Sequence, residues 1–307
     1  MNTDFDLNGI ILVDKPQGFT SFDVIAKMRG ILRIKRLGHS GTLDPMATGV
    51  LPVLVGKATK ASDILPVDEK SYIAGFRLGV VTDTQDSSGT GLAESDKFVS
   101  EDMLRQVADT FLGDIMQIPP MYSAVSVDGK RLYELAREGK TIERQARPRR
   151  VDSIDILSYD EKTREGMMSV SVGKGTYVRT LIHDIGEKLG CGGIMTSLQR
   201  TSSSGYEISD CHTLEQIQAF ADEDRLSEIV RPVQTAFCSV YASVKLNNHC
   251  SRLYKNGVKL RPEQMGLKGD RSQTEEILCV YDDNNLFLGL AKVDYENDQV
   301  KVYKNFY

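Results

Sequence analysis

Hydrophobic and polar residues along the chain follow two periods, one typical of strands and one typical of helices. Apolar runs or period-two alternation predict strands at 9–13, 53–55, 71–78, 151–157, 167–172, 240–246, 276–281, 286–293 and 300–303. Helices are predicted at 20–32, 57–65, 100–111, 129–139, 177–189 and 214–230. Helices and strands in this order indicate an α+β fold.

The order of the elements predicts two domains. Strands and helices are mixed up to residue 238, whereas after Pro232 short strands alternate with Asp and Asn turns. We therefore expect a large domain over residues 1–238, with a basic insertion at about 119–150, and a small β-rich domain over residues 239–307.

The stretch 38–52 interrupts the regular pattern. It holds three glycines and two prolines, which predicts a tightly specified irregular backbone between two regular elements. Pro45 biases Asp44 toward an extended backbone, and the neighbours of Asp44 are mostly apolar. Because an unpaired buried carboxylate is costly, we expect a cation from elsewhere in the chain to reach it. The alternative is an ordinary Asp-Pro turn, in which the carboxylate bonds a nearby backbone amide.

Arg179 is a candidate for that cation. It lies in the first turn of the helix predicted at 177–189, where the helix dipole disfavours a positive charge, so a partner anion would account for it. A two-bond pair between its guanidinium and Asp44 would keep the carboxylate ionised.

Charge is unevenly distributed in a chain of 307 residues with net charge −5. Cationic residues gather at 27–36 and 130–150, and acidic residues at 83–102 and 282–298. A cationic face on an acidic body would attract an RNA surface, although these runs could equally be solvated helix faces.

Composition excludes several classes of protein. The five scattered cysteines form no Cys-x-x-Cys pair and the four histidines have no ligand spacing, so neither a disulfide framework nor a metal site is expected. No apolar run is long enough to cross a membrane, and the start lacks a secretion signal. We expect a cytoplasmic protein without a membrane partner.

Read whole, the stretch 38–52 closely resembles the catalytic loop of the TruB family of tRNA pseudouridine synthases, of the bacterial type. Every fixed position of the family pattern G-H-x-G-x-L-D-P-x-A-T-G-x-L-P is filled. The similarity continues in G-I-I-L-V-D-K-P, R-L-G-x-x-T-D-T-x-D, I-P-P-M-Y-S-A, K-G-T-Y-V-R-T and E-K-L-G-C-G-G, and so covers nearly the whole chain.

The resemblance implies a fold and a reaction. It implies the pseudouridine synthase fold, a mixed but mostly antiparallel sheet flanked by helices, with a C-terminal RNA-binding domain like the PUA module. The implied enzyme is a tRNA pseudouridine(55) synthase, which isomerises uridine at position 55 in the T loop of tRNA. It needs no cofactor and acts on the T-arm stem-loop. No protein partner is indicated, and we expect a monomer.

The resemblance also implies roles for individual residues. The expected catalytic residues are Asp44, which acts at the ribose of a flipped-out uridine, Tyr72, which stacks on the base, and the site residues Arg179 and Tyr177. The expected substrate-binding residues are His39, Leu198, Arg200 and Asp86. The residues expected to hold the RNA backbone, all in or beside the insertion, are Lys130, Arg131, Arg147, Arg149 and Arg150.

Two other functions remain open from the sequence. A non-catalytic RNA-binding protein or folding chaperone would use the fold as a clamp and would not need Asp44. A hydrolase using Asp44 and Asp86 on a small glycoside would work without RNA and would leave the basic insertion unexplained.

Overall fold

The computed structural model describes residues 7–123, 126–127, 129–267 and 275–307. Within these ranges the strands run as follows: β1 (Gly9–Lys15), β2 (Leu37–His39), β3 (Thr48–Val55), β4 (Lys70–Leu78), β5 (Val80–Thr82), β6 (Gly91–Glu94), β7 (Gly113–Gln117), β8 (Ser126–Val127), β9 (Lys130–Arg131), β10 (Arg147–Asp160), β11 (Glu165–Val172), β12 (Gly193–Ser203), β13 (Tyr206–Glu207), β14 (Ser243–Lys245), β15 (Glu275–Tyr281), β16 (Phe287–Asp294) and β17 (Gln299–Asn305).

The helices of the described residues lie between these strands. They are α1 (Ser21–Leu32), α2 (Glu101–Asp109), α3 (Leu132–Arg137), α4 (Val178–Leu189), α5 (Leu214–Asp222), α6 (Thr235–Cys238) and α7 (Asn248–Lys255). Four short 3₁₀ segments, at Gly56–Ala61, Ile208–Asp210, Leu226–Glu228 and Pro262–Met265, complete the regular structure. No described helix has both the length and the apolar character that a membrane crossing requires.

A nine-stranded sheet forms the centre of the larger part of the chain. Its strands lie in the order β1-β3-β12-β4-β11-β10-β7, with β2 paired to β3 and β13 to β12. All of these pairs are antiparallel except β12 with β3. One apolar core joins the middle strands to α2 and α4, and another joins β1 and β3 to α1 and α5. The predicted α+β fold with a mostly antiparallel sheet is confirmed.

Local signals placed several element ends correctly. Thr20 and Asp23 form the predicted capping box, since each side chain accepts a hydrogen bond from the other's backbone amide. Helix α4 ends at Gly190, which takes the left-handed conformation with φ 74°.

Several predicted segments differ in the structure. The helix at 57–65 is a 3₁₀ turn, and the helix at 129–139 is the hairpin strand β9 followed by α3. The helix at 214–230 ends as α5 at residue 222, because Asp224 adopts a left-handed backbone with φ 57°. Strand β10 begins at Arg147 rather than 151, since its first residues pair with β7 and the rest with β11.

The C-terminal part is a four-stranded sheet, β14-β15-β16-β17, that is tied to the larger sheet. One apolar cluster holds Ile10 and Leu12 of β1 together with Phe237, Phe287 and Phe306. Lys60 donates to the backbone and side-chain oxygens of Asn305, and Lys304 pairs with Asp63 at 3.0 Å. The β-rich region therefore shares a core with the rest of the chain.

Candidate active site

Asp44 lies in the loop between β2 and β3, and this loop is fastened to the N-terminal segment. The Gly18 amide donates to the Pro45 carbonyl at 2.8 Å, and the Leu43 amide donates to the Ser21 hydroxyl at 2.9 Å. The Ala47 amide closes a turn onto the Asp44 carbonyl at 3.0 Å. These bonds fix the direction in which the Asp44 side chain leaves the backbone.

Arg179 reaches Asp44 from the first turn of α4. Its Nη1 lies 3.3 Å from Asp44 Oδ2. The guanidinium is buried, with 6% of the side chain exposed, whereas 36% of the Asp44 side chain is exposed. The carboxylate is therefore more open than the sequence suggested, and the contact is one close approach rather than two parallel hydrogen bonds. A paired carboxylate that remains accessible can meet a substrate.

Arg179 has two further partners. Its Nη1 lies 3.5 Å from Asp86 Oδ2, and its Nη2 donates to the Tyr122 carbonyl. Asp86 is 3% exposed, and its Oδ1 accepts hydrogen bonds from Thr84 Oγ1 at 2.7 Å and from the Ser88 amide at 2.9 Å. Asp86 thus lies beneath the arginine rather than at the surface, and the two carboxylates do not face one open space as a glycosidase pair would.

Tyr177 is held in place by Gln117 of β7. Its amide donates to Gln117 Oε1 at 2.8 Å, and its carbonyl accepts from Gln117 Nε2 at 3.1 Å. The Tyr177 ring lies 5.9 Å from the Arg179 guanidinium carbon, at the N-terminus of α4. Gln117 is 1% exposed, and the sequence analysis did not identify it.

Tyr72 and Arg200 are directly opposite each other on β4 and β12. Tyr72 is 7% exposed, and burial raises the pKa of its phenol, with a smaller lowering by the neighbouring Arg200. The surroundings of Tyr72 therefore favour its neutral phenol.

Arg200 is fully buried and fixes the loop that carries Asp44. Its Nε donates to the Val50 carbonyl at 2.7 Å, and its Nη2 donates to the Gly41 carbonyl at 3.1 Å. Gly49 is needed here, since its φ is +100° and an added Cβ would lie 2.2 Å from the Arg200 carbonyl oxygen. Arg200 therefore positions this loop, and its expected role in binding substrate stays a prediction.

Lys15 is a third buried cation near Asp44, and sequence reasoning missed it. It is 0% exposed and donates to the carbonyls of Pro16 at 2.9 Å, Phe19 at 2.6 Å and Pro45 at 3.4 Å. Burial lowers the pKa of its ammonium to about 8, although the nearby Asp44 acts to raise it. The sequence feature that could have identified Lys15 is its position just after the apolar run at 9–13.

The other predicted binding residues lie at different depths. The His39 ring contacts the Phe22 ring edge-on, with the centroids 5.5 Å apart. Burial lowers the pKa of the His39 imidazole, and the positive charge of Arg200 lowers it further. Leu198 is 9% exposed and belongs to the core beneath the site.

The basic residues expected to hold RNA do not form one row. Arg149 lies against Gly175, whose added Cβ would be 3.1 Å from the guanidinium carbon, so it borders the Tyr177 segment. Arg147 and Lys130 are exposed, and Arg150 pairs with Asp152 at 2.8 Å and Asp114 at 3.6 Å. Arg131 belongs to β9, and its side chain lies outside the described part of the chain.

Metal ligation finds no support in the part of the chain that the structure describes. There, no three His, Cys, Asp or Glu side chains are grouped so that they could hold an ion. What the site offers is an accessible carboxylate, Asp44, paired with a buried guanidinium that also lies near the Tyr177 ring.

Comparison with known proteins identifies the family. The model of the TruB family pseudouridylate synthase N-terminal domain matches residues 29–178, and that of the tRNA pseudouridylate synthase B C-terminal domain matches residues 179–238. The chain is similar to tRNA pseudouridine synthase B of Clostridium tetani, with 40% identity over 96% of this chain and 98% of that protein. It is similarly related to that of Clostridioides difficile, with 41% identity over 96% and 98% of the two chains.

Solved structures agree. A crystal structure of a Cbf5–Nop10–Gar1 complex contains a chain with TM-score 0.75 and 28% identity, over 98% of this chain and 86% of that one. An H/ACA RNP bound to a substrate RNA containing 2′-deoxyuridine gives TM-score 0.73 and 26% identity, over 100% and 88%. From its sequence, its fold and the geometry of its site, the chain belongs to the TruB family of tRNA pseudouridine synthases.

Proposed function

We propose that this chain isomerises uridine to pseudouridine at position 55 in the T loop of tRNA, with Asp44 as the residue that acts on the ribose. The observation that carries the proposal is the contact of 3.3 Å between buried Arg179 and accessible Asp44. The buried guanidinium sets a positive charge against a carboxylate that a substrate can still reach, and a carboxylate placed in this way can react with or stabilise an electron-poor sugar carbon.

The reaction breaks the bond from ribose C1′ to uracil N1, rotates the uracil and joins C1′ to C5. The proton on C5 is lost and N1 gains one, so no electrons enter or leave and no cofactor is proposed. Asp44 can attack C1′, or it can stabilise positive charge there while a proton leaves the neighbouring ribose carbon.

Access to Asp44 requires that the uridine leave the base stack. Extrusion costs a few kcal/mol, approximately, and aromatic rings can replace the lost stacking. We propose that the rings of Tyr72, Tyr177 and His39 supply this stacking, because Tyr72 lies opposite Arg200, Tyr177 lies beside Arg179 and His39 contacts Phe22. We also propose that phosphates of the T arm are held by four basic residues, Lys130, Arg131, Arg147 and Arg149. The chain acts as a monomer. It works in the cytoplasm, where tRNA is its substrate.

The test is pseudouridine mapping on an unmodified tRNA transcript. Wild-type chain should convert one T-loop uridine, and Asp44→Asn should convert none while binding the transcript within about tenfold of wild type. Turnover by Asp44→Asn would refute the role of Asp44. Conversion at another uridine would refute the substrate position, and binding without conversion by the wild type would favour a non-catalytic RNA-binding protein.

A further inference from the structure

Two phenylalanine rings are exposed beside the catalytic loop. Phe22 is 69% exposed and Phe19 is 37% exposed. Phe22 contacts His39 edge-on, with the ring planes at 84° and the centroids 5.5 Å apart. This contact covers little of the Phe22 ring, so most of its surface faces solvent.

The backbone beneath Phe22 is firmly fixed. Thr20 and Asp23, which flank the segment containing Phe22, form a capping box with hydrogen bonds of 2.8 and 3.0 Å. This capping box fixes the backbone of the first turn of α1. Ser21, the neighbour of Phe22, accepts from the Leu43 amide at 2.9 Å, one residue before Asp44. An exposed ring on a rigid backbone loses little conformational entropy when a ligand covers it.

We propose that Phe22, with His39 as its side wall, is a stacking subsite for a second nucleobase of the RNA, next to the uridine that reacts at Asp44. The proposal rests on the proposed function, because it needs an RNA whose loop is opened at the site. Every nucleobase has a flat π face that stacks on an aromatic ring, so the subsite takes a flanking base with little sequence preference.

The surroundings of the two rings support a base rather than a phosphate. Burial lowers the pKa of His39, so at neutral pH its ring meets the ligand as an uncharged aromatic surface. The carboxylate of Asp23 lies one residue after Phe22 and would repel a phosphate. An opened RNA loop exposes bases on both sides of the extruded one, and a ring fixed beside Asp44 can cover one of them.

The experiment uses the full chain and a T-arm stem-loop RNA with 2-aminopurine on one or the other side of the target uridine. Phe22→Ala and Phe22→Leu should bind about tenfold more weakly and should lose the fluorescence quenching that stacking causes at one of the two positions. Phe22→Tyr, which keeps the ring, should behave as wild type. The matched control is Phe98→Ala, since Phe98 is also mostly exposed, at 61%, and lies in a different segment.

Three results would overturn the proposal. If Phe22→Leu binds and quenches as wild type does, Phe22 is only an apolar support for His39 and the subsite is overturned. Unchanged quenching by Phe22→Ala would also overturn it. A loss in Phe98→Ala equal to that in Phe22→Ala would show a general surface effect and overturn it too. Because binding is measured without turnover, a wild-type chain that converts no uridine but shows the ring dependence would contradict the proposed function and leave the subsite supported.

Discussion

Arg179 serves two carboxylates that differ in their exposure, so replacing each should have a different effect. Asp86 is 3% exposed and also accepts bonds from Thr84 and Ser88, whereas 36% of the Asp44 side chain is exposed. Asp86→Ala should lower the free energy of unfolding by about 3 kcal/mol, because it leaves buried donors and a buried charge with fewer partners. Asp44→Ala should change it by less than about 1 kcal/mol and abolish turnover.

Urea unfolding and single-turnover assays on both variants test this contrast. Asp86→Asn is the matched control, since the amide can still accept from Thr84 and Ser88. Equal stability of Asp86→Ala and Asp44→Ala would contradict the assignment of Asp86 as a structural partner of the arginine.

The lowered pKa of Lys15 predicts that the free energy of unfolding depends on pH. Its native pKa is lowered from 10.5 to about 8, so the unfolded chain binds more protons than the native chain between these values. Stability from this residue therefore rises as pH increases from 8 toward 10.5, by at most about 2 kcal/mol between pH 8 and 9.5. Urea unfolding at pH 7.5 and 9.5 should show this rise in wild type and a smaller one in Lys15→Met.

A surface lysine provides the control for that measurement. Lys35→Met removes an exposed ammonium and should leave the pH dependence as in wild type. An equal rise in Lys15→Met and wild type would mean that Lys15 does not lose its proton in this range.

At the level of elements, β10 carries its arginines on two faces. Arg147 and Arg149 lie on the same face as the buried Val151, and Arg149 borders the Tyr177 segment. Arg150 points the other way and is already paired with Asp152 and Asp114. Arg147 and Arg149 therefore face the side of the sheet on which α4 lies.

Salt dependence of tRNA binding should separate these faces. Arg147→Ala and Arg149→Ala should each lower the slope of log affinity against log salt by about 1, because each removes one phosphate contact. Arg150→Ala, the matched control on the same strand, should change it by less. A flat response in all three variants would show that this end of β10 does not touch the RNA backbone.

Elements with strong local signals were predictable from sequence, and those without were not. Thr20 and Gly190 mark helix ends through their own backbone geometry, which a short window records. Helix α7 was missed because its apolar residues are few, although Asn247 caps it by accepting the Cys250 amide at 2.8 Å.

The site followed the same rule. The pairing of Asp44 with a cation was predicted, since an arginine in a first helical turn and a carboxylate in an apolar loop each need a partner. Arg179 also contacts Asp86 and Tyr122, and Lys15 is buried. Both features depend on the order of the strands in the sheet. No local pattern contains that order.

On the scale of the whole molecule, three phenylalanines join the two sheets. Phe306 lies 5.7 Å from both Phe237 and Phe287, ring to ring, and is 8% exposed. This cluster also contains Ile10 and Leu12 of β1, so the C-terminal sheet supports the larger one.

Phe306→Ala should lower the free energy of unfolding of the whole chain by about 3 kcal/mol, because it removes a buried ring at the junction. Circular dichroism and tyrosine fluorescence in urea should still give one transition. Tyr303→Ala, at a site 43% exposed on β17 and three residues before Phe306, is the control and should have little effect. Two separate transitions in the wild type would show that the sheets unfold independently.

The ion pair at the centre of the site joins segments that are far apart along the chain, and its consequence concerns refolding. Asp44 precedes β3 and Arg179 lies in the first turn of α4, and they meet only after β12 has paired with β3 on one side and β4 on the other. Contacts so distant in sequence form late, because closing the intervening loops costs entropy first. After dilution from denaturant, the circular dichroism signal of the helices should therefore return before enzymatic activity. The delay between them would measure how long the strands of the sheet take to pair.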